Sequence, residues 1–258
     1  MELGLKKKIE AIVKEKTDYA KSMPGRYKDR VKDLNNRRNT ARYTEQGFRE
    51  IVQERLDEVK TEYDEHKDSC RQKVEAVIVG AKKEVEKSLN ATIPHSTDYD
   101  VRFNTAIMTL TNMNLQNLDD DTAYMILGDF TEDNEKMRIC RMLIENQGNM
   151  LVHSDGTPVY EKTFGHLMTY ESAIKQLDTL KKEAEKMFGG DDALVESGTY
   201  PMTIGGDKQW HDGSMVGGFT FGIPAALDVM GLQDAFVVDK AEEIDSLVKP
   251  IEVKGGDE

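Results

Sequence analysis

The stretch EQGFREIVQERLDEVKTEYDEHKDSCRQKVEAVIVGAKKEVEKSL, residues 45–89, predicts the fold class of this chain. Its apolar residues recur at steps of three or four, about 3.7 on average, which is the spacing of one face of an α-helix. It contains no proline, and Gly80 is its one glycine after the first turn. We therefore expect one long helix with a narrow apolar stripe, called the seam below, that another helix must cover, from this chain or from a second copy. The seam consists of Phe48, Val52, Leu56, Val59, Tyr63, His66, Cys70, Val74, Val77, Ala81 and Val85.

The balance of charged and apolar residues favours an elongated protein with much solvated surface. Of the 258 residues, 38% are hydrophobic and 32% are charged, which is less apolar and more charged than a typical globular domain. Residues 1–90 hold 22 basic and 18 acidic side chains and residues 91–258 hold 13 and 30, so the net charge of -13 divides into +4 and -17. The acidic part repels nucleic acid and anionic membranes, so we expect any contact with a polyanion within residues 1–90.

Cysteine usage and the N-terminal sequence predict a cytoplasmic protein with no membrane contact. Cys70 and Cys140 lie on separate predicted helices, whereas a secreted disulfide scaffold would contain more cysteines at regular spacings. The N-terminus MELGLKKKIEAIVKEK lacks the continuous apolar run of a signal peptide. No stretch reaches the roughly 18 apolar residues that a membrane span needs. We expect two reduced thiols in a reducing compartment.

Breaks in the helical pattern divide the chain into three regions, and the predicted fold class is mainly α with a little β structure. The first helix, residues 2–22, is expected to end at Met23-Pro24-Gly25, because proline and glycine together interrupt helices. The predicted regions are an elongated charged helical or coiled-coil region at 1–90, a smaller helical domain at 95–190 with a short hairpin near 150–160, and a glycine-rich, partly irregular C-terminal segment at 191–258.

None of the candidate chemical motifs has the spacing that a catalytic, cofactor or metal site requires. His66 and Cys70 are four residues apart on the seam, where packing between helices is a simpler explanation than a metal ion. His153 adjoins a predicted turn, and the glycine-rich segment around Trp210 lacks the pattern of a phosphate loop. We therefore assign no catalytic, cofactor-binding or metal-binding residue and expect no cofactor. An enzyme with a site in residues 150–215 is kept as a second alternative.

A basic segment is followed by an acidic stripe, and this pattern favours pairing between copies. Glutamates recur every four residues from Glu50 to Glu62, which is unfavourable in an isolated helix unless a basic surface faces them. The preceding residues 26–42 hold seven basic side chains against two acidic ones, so this segment of a second copy is the natural candidate. A solvated face without a partner is an alternative, and so is nucleic-acid binding with Tyr27 and Tyr43 as stacking residues. The residues expected to contact an acidic stripe or a polyanion are Arg30, Arg37, Arg38 and Arg42.

The charged helical first part, which contains KKKIEAIVKEK at residues 6–16 and the seam helix, resembles in general character the proteins that phages and prophages use for particle assembly. An acidic, methionine-rich remainder adds to this resemblance. It implies a non-enzymatic, virion-associated homo-oligomer that binds other structural proteins. A nucleic-acid-binding adaptor that uses residues 26–42 is the first alternative. We predict self-association by helical pairing through Phe48, Val52, Leu56, Val59, Tyr63, Val74 and Val77.

Overall fold

The computed structural model describes residues 3–35, 45–91, 94–113, 118–146, 159–189, 199–204, 219–224 and 231–248. Seven α-helices form most of this described part, which confirms the mainly α fold class. The helices are α1 (Leu5–Val31), α2 (Glu45–Leu89), α3 (Thr97–Asn112), α4 (Asp120–Leu127), α5 (Asn134–Asn146), α6 (Glu161–Gly189) and α7 (Gly231–Val248). Short 3-10 turns follow α1 at Lys32–Asn35 and α4 at Gly128–Phe130.

The long helix predicted from the seam is α2, which runs without interruption over its 45 residues. At 1.5 Å per residue its length is about 68 Å. The buried positions match the predicted seam except at His66 and Val77, which are half-buried. Ile78 is buried in place of its neighbour Val77, and burial returns to the predicted positions at Ala81 and Val85.

Helix α1 continues through Met23-Pro24-Gly25, so the predicted helix end at this point is wrong. Proline removes one backbone hydrogen bond and clashes with the preceding turn, at a cost of about 3 kcal/mol in a helix interior. Met23 before the proline and Tyr27 and Val31 after it are all buried in one apolar cluster with α2. Packing on both sides of Pro24 therefore keeps the helix continuous where the local sequence would end it.

The chain divides into two compact units, and each combines segments that are far apart in the sequence. The hairpin unit contains Lys6–Val77 and Lys181–Lys240, and the short-helix unit contains Met1–Leu5, Ile78–Leu180 and Ala241–Glu258. The regions predicted at 1–90, 95–190 and 191–258 stay a prediction. Helices α2 and α6 end near two of their boundaries, at Leu89 and Gly189.

The hairpin unit is built on an antiparallel pair formed by α1 and α2. Tyr19 near the middle of α1 contacts Tyr63, with ring centroids 6.1 Å apart, and Arg55, nearer the start of α2, binds Asp33 beyond the end of α1. The C-terminal segments join this pair through Lys16, whose Nζ lies 2.8 Å from Asp234 Oδ1 in a buried ion pair. Strands β1 (Thr199–Ile204) and β2 (Phe219–Pro224) pair antiparallel, with Thr199 opposite Pro224.

In the short-helix unit, aspartates fix the starts of the helices. Asp119 accepts a hydrogen bond from the backbone N–H of Thr122 and caps α4. Asp120 accepts from the backbone N–H groups of Lys162 and Thr163, which satisfies the free donors at the start of α6. The short hairpin predicted near 150–160 lies outside the described residues, so the structure gives it no support.

We expect Pro24→Ala to raise the free energy of unfolding by about 1–2 kcal/mol, because alanine restores the missing helical hydrogen bond while freeing the unfolded chain somewhat. Urea unfolding followed by circular dichroism measures this change. Gly25→Ala is the control, since a Cβ there meets no atom within 4 Å. The Gly25→Ala change should raise the free energy of unfolding by about 0.5–1 kcal/mol. A less stable Pro24→Ala variant would show that α1 is not continuous in solution.

Candidate functional site

Six of the seven seam residues predicted to mediate self-association are buried within the chain, and Val77 is half-buried. Phe48, Val52, Leu56, Val59 and Tyr63 are between 0% and 6% exposed. They form one apolar cluster with residues of α1 and the turn after it, namely Ala20, Met23, Tyr27, Val31 and Leu34. The seam thus has the helical cover that the sequence requires, and that cover comes from the same chain.

The basic segment also meets the acidic stripe within the chain. Arg30 lies 3.2 Å from a carboxylate oxygen of Glu58 and forms a second ion pair with Glu62. Arg37, Arg38 and Arg42 lie outside the described residues. The pairing expected between copies is therefore formed inside one chain at Arg30, and the other three arginines stay predictions.

The remaining predicted motifs find little support as reactive sites. Tyr27, named as a stacking residue, is 1% exposed, and burial together with Asp64 and Asp57 raises the pKa of its phenol to about 12. Tyr43, His153 and Trp210 lie outside the described residues. Of the enzyme candidate at 150–215, the structure describes residues 159–189 and 199–204.

A polar cluster that the sequence did not indicate joins α3 to the start of α5. His95 Nε2 lies 2.6 Å from Asp133 Oδ2, and the Tyr99 hydroxyl donates to the same oxygen at 3.4 Å. The imidazole stacks on the Tyr99 ring, and burial beside Asp133 raises the pKa of the Tyr99 phenol. The other oxygen of Asp133 accepts the backbone N–H of Lys136, so this carboxylate caps α5. The cluster is explained by helix capping and by the burial of its own polar groups.

A second cluster brings three metal-ligating groups together in the hairpin unit. Cys70 Sγ lies 3.6 Å from His66 Nε2, and that nitrogen lies 3.9 Å from Glu15 Oε1. The three donor atoms are all within 4.8 Å of one another, the one such group among the described residues. Burial and the Glu15 charge raise the pKa of the Cys70 thiol. The sequence showed the His66–Cys70 spacing but not Glu15, because that residue lies on another helix.

One helix of the short-helix unit carries an uncharged surface exposed to solvent. Val101 and Met108 of α3 are 58% and 64% exposed. The hydroxyls of Thr105 and Thr109 each donate to a backbone carbonyl one turn earlier in α3, both at 2.9 Å. We call this surface the α3 outer face, defined by Val101, Asn104, Thr105, Met108, Thr109, Thr111 and Asn112, all of them exposed.

The α3 outer face has a signal in the sequence that differs from apolar periodicity, namely a long run without charged residues. Residues 103–118 are sixteen consecutive uncharged residues in a chain in which 32% of residues are charged. The helix buries Phe103, Ala106 and Leu110, which lie on the opposite side of α3. The polar but uncharged threonines and asparagines between them are therefore left at the surface.

Comparison with known proteins provides no family and no structural relative. No protein-family model, no curated protein and no solved structure matches this chain. Among the described residues, no helix has both the length and the apolar character that crossing a bilayer demands. Any functional conclusion therefore depends on the geometry of the chain itself.

We expect Leu56→Asp combined with Val59→Asp to unfold the hairpin unit rather than to yield a folded monomer. Each substitution removes about 1.5–3 kcal/mol of apolar burial and places a charge against α1, in a protein whose total stability is expected near 5–15 kcal/mol. Thermal unfolding followed by circular dichroism measures the loss of cooperativity.

The control for this double variant is Ser69→Asp with Ala76→Asp, which adds the same charge at two exposed positions of α2 outside the acidic stripe. It should melt close to the wild type. A Leu56→Asp, Val59→Asp protein that is as stable as the wild type but smaller in light scattering would instead place the seam between chains.

Proposed function

We propose that this chain is a non-enzymatic structural or assembly protein that self-associates by helical pairing, and that the contact is the α3 outer face. The observation that carries this proposal is the exposure of Val101 and Met108 on a helix face whose charged neighbours, Asp98 and Arg102, pair with each other near the start of α3. The seam, which is covered by α1, does not offer such a surface. The proposed function is still self-association by helical pairing, as the sequence predicts. The proposed contact surface lies on α3 and not on the seam of α2.

Electrostatics favours a second copy of the chain as the occupant of this face. Two chains of net charge -13 repel each other over most approaches. An uncharged helix face is the region where two such chains meet with the least repulsion. A two-fold contact places the same face on both sides, so Val101 and Met108 of one copy would pack against those of the other.

Desolvation of the threonines on this face also costs little free energy, because their hydroxyls already form hydrogen bonds within the helix. Thr105, Thr109 and Thr111 donate to carbonyl oxygens of their own helix at 2.8–2.9 Å, which leaves their methyl groups toward solvent. Burial against another surface therefore leaves no threonine hydroxyl unpaired, whereas the amides of Asn104 and Asn112 need partners across the contact.

The binding free energy expected for this contact predicts a weak dimer. Burying the exposed parts of two Val and two Met side chains contributes roughly 4–8 kcal/mol. Association costs about 4–15 kcal/mol in lost freedom of motion. The most favourable combination of these two ranges leaves about 4 kcal/mol, which corresponds to a Kd of about 1 mM. A pair held by this face alone should therefore form only near millimolar concentration, and a tighter or denser assembly would need further contacts. Such contacts are compatible with the phage or prophage particle role that the sequence resemblance implies.

The two alternatives have weaker support. A nucleic-acid adaptor depends on the basic segment, yet Arg30 is engaged by Glu58 and Glu62, and Tyr27 is buried. An enzyme with a site in residues 150–215 has no described cluster of reactive groups to support it. We therefore rank self-association first.

We expect Met108→Asp to shift the chain toward monomer, because it places a charge at the centre of an uncharged contact. Light scattering over a range from about 100 micromolar to about 2 millimolar measures the change, since a contact of this strength dissociates in that range. Met125→Asp is the matched control, because Met125 on α4 is 86% exposed and lies outside the α3 outer face. A wild-type chain that is monomeric throughout, or loss of association in Met125→Asp alone, would refute the proposed contact.

We expect no measurable binding of double-stranded DNA or RNA at physiological salt, because the net charge opposes it and the described arginine of the segment is paired. Fluorescence anisotropy of a labelled duplex tests this. If binding appears, falls steeply with salt and disappears when Arg30, Arg37, Arg38 and Arg42 are changed to glutamate, the adaptor alternative replaces self-association. A plot of the logarithm of the binding constant against the logarithm of the salt concentration would then have a slope near -0.9 per phosphate neutralised.

A further inference from the structure

We propose that Glu15, His66 and Cys70 form a binding site for one zinc ion within the hairpin unit. His66 and Cys70 lie one turn apart on the same side of α2, and Glu15 reaches the same point from α1. The three residues offer one nitrogen, one sulfur and one oxygen donor. Helical periodicity brings the first two together, and the antiparallel packing of α1 on α2 supplies the third.

The distances between the donor atoms fit a tetrahedral ion. Zinc binds sulfur at about 2.3 Å and imidazole nitrogen at about 2.0–2.1 Å, so a tetrahedral angle places these donors about 3.6 Å apart. Cys70 Sγ and His66 Nε2 are separated by 3.6 Å. The same reasoning gives about 3.3 Å between nitrogen and carboxylate oxygen. The observed 3.9 Å from His66 Nε2 to Glu15 Oε1, and a separation of Cys70 and Glu15 within 4.8 Å, therefore require the Glu15 side chain to move toward the ion by up to about 1 Å.

The chemistry of the donors selects zinc over calcium or magnesium. Thiolate and imidazole are ligands for zinc and other transition metals, whereas calcium and magnesium prefer oxygen donors alone. Three protein ligands leave one tetrahedral position for water. Solvent can reach it, since the Glu15 side chain is 41% exposed and the His66 side chain 21% exposed. When the sulfur–zinc bond forms, the proton of the Cys70 thiol is released to solvent.

Neighbouring side chains hold the ligands in position. The His66 ring stacks on Tyr19, with centroids 3.9 Å apart and an interplanar angle of 14°, which restricts the direction of Nε2. Lys73 Nζ donates to both Glu15 oxygens, at 2.6 and 2.9 Å, and keeps the carboxylate close to the site. With zinc on Oε1, Lys73 retains its bond to Oε2. Contacts of this kind to ligating residues typically change metal affinity by about 10–100-fold when removed.

A bound ion would join α1 to α2 at a second place beyond the apolar cluster. Cys70 follows Tyr63, the last residue of α2 in that cluster, along the helix, so the metal would extend the contact between the two helices. The site would thus stabilise the hairpin unit in proportion to the free zinc concentration, because only the folded chain assembles the three donors.

Cobalt(II) provides a direct test, because its absorption reports both thiolate coordination and tetrahedral geometry. The untagged full chain is freed of metal with a chelator, kept reduced with a phosphine and titrated with cobalt chloride and then with zinc chloride. We expect a thiolate-to-cobalt charge-transfer band and intense visible bands that saturate at one ion per chain and disappear on zinc addition. Zinc should also raise the melting temperature of the chain.

The variants separate this site from other metal binding. Cys70→Ser should lose the charge-transfer band, and Glu15→Gln and His66→Gln should bind cobalt at least about tenfold more weakly. Cys140→Ser is the matched control, because Cys140 is the other buried cysteine and belongs to no such group in the described helices. It should bind like the wild type.

Three results would overturn the proposal. The first is the absence of a charge-transfer band in the wild type with excess cobalt, and the second is an unchanged band in Cys70→Ser. The third is equal affinity in Glu15→Gln and the wild type, which would exclude the three-ligand arrangement. If Cys70→Ser is unstable, Glu15→Gln and His66→Gln still test the site, because both residues are half-exposed and their substitution should not unfold the chain.

Discussion

Apolar packing of α1 on the seam of α2 is the interaction on which the rest of the hairpin unit depends. A helix of 45 residues with a narrow apolar stripe needs a partner along that stripe, and α1 supplies one over the stretch from Phe48 to Tyr63. The same packing keeps α1 continuous through Pro24. It also places Arg30 beside Glu58 and Glu62 and brings Glu15 to His66 and Cys70.

The long helix could be predicted from the sequence because its signal is local. Apolar spacing and the lack of interior breakers predict the continuous helix from Glu45 to Leu89. The partner of the seam could not be predicted, since periodicity defines a stripe without saying which helix covers it. Pro24 was misjudged for a related reason, because the local cost of a proline is outweighed by burial of Met23, Tyr27 and Val31.

The candidate sites were only partly visible in the sequence. The pair His66 and Cys70 has a recognisable spacing, but the ligand that completes the cluster, Glu15, is distant in sequence and meets them only after α1 packs on α2. The α3 outer face was accessible in principle as an uncharged run. Apolar spacing indicates buried faces, whereas this surface is distinguished by a long run without charged residues. The placement of Asp133 as a helix cap and partner of His95 required the tertiary structure.

Carbodiimide cross-linking of mixed isotopic forms tests most directly whether α1 covers the seam of its own chain. Unlabelled and fully 15N-labelled chains are mixed, unfolded together, refolded and freed of metal. The mixture is then treated with the carbodiimide, which joins the Lys73 amine and the Glu15 carboxylate, 2.6 Å apart, through an amide bond. Packing within the chain predicts joined Lys73 and Glu15 peptides that are both unlabelled or both labelled. Pairs with one labelled and one unlabelled peptide, in the proportion expected for random exchange, would show that α1 covers the seam of another copy.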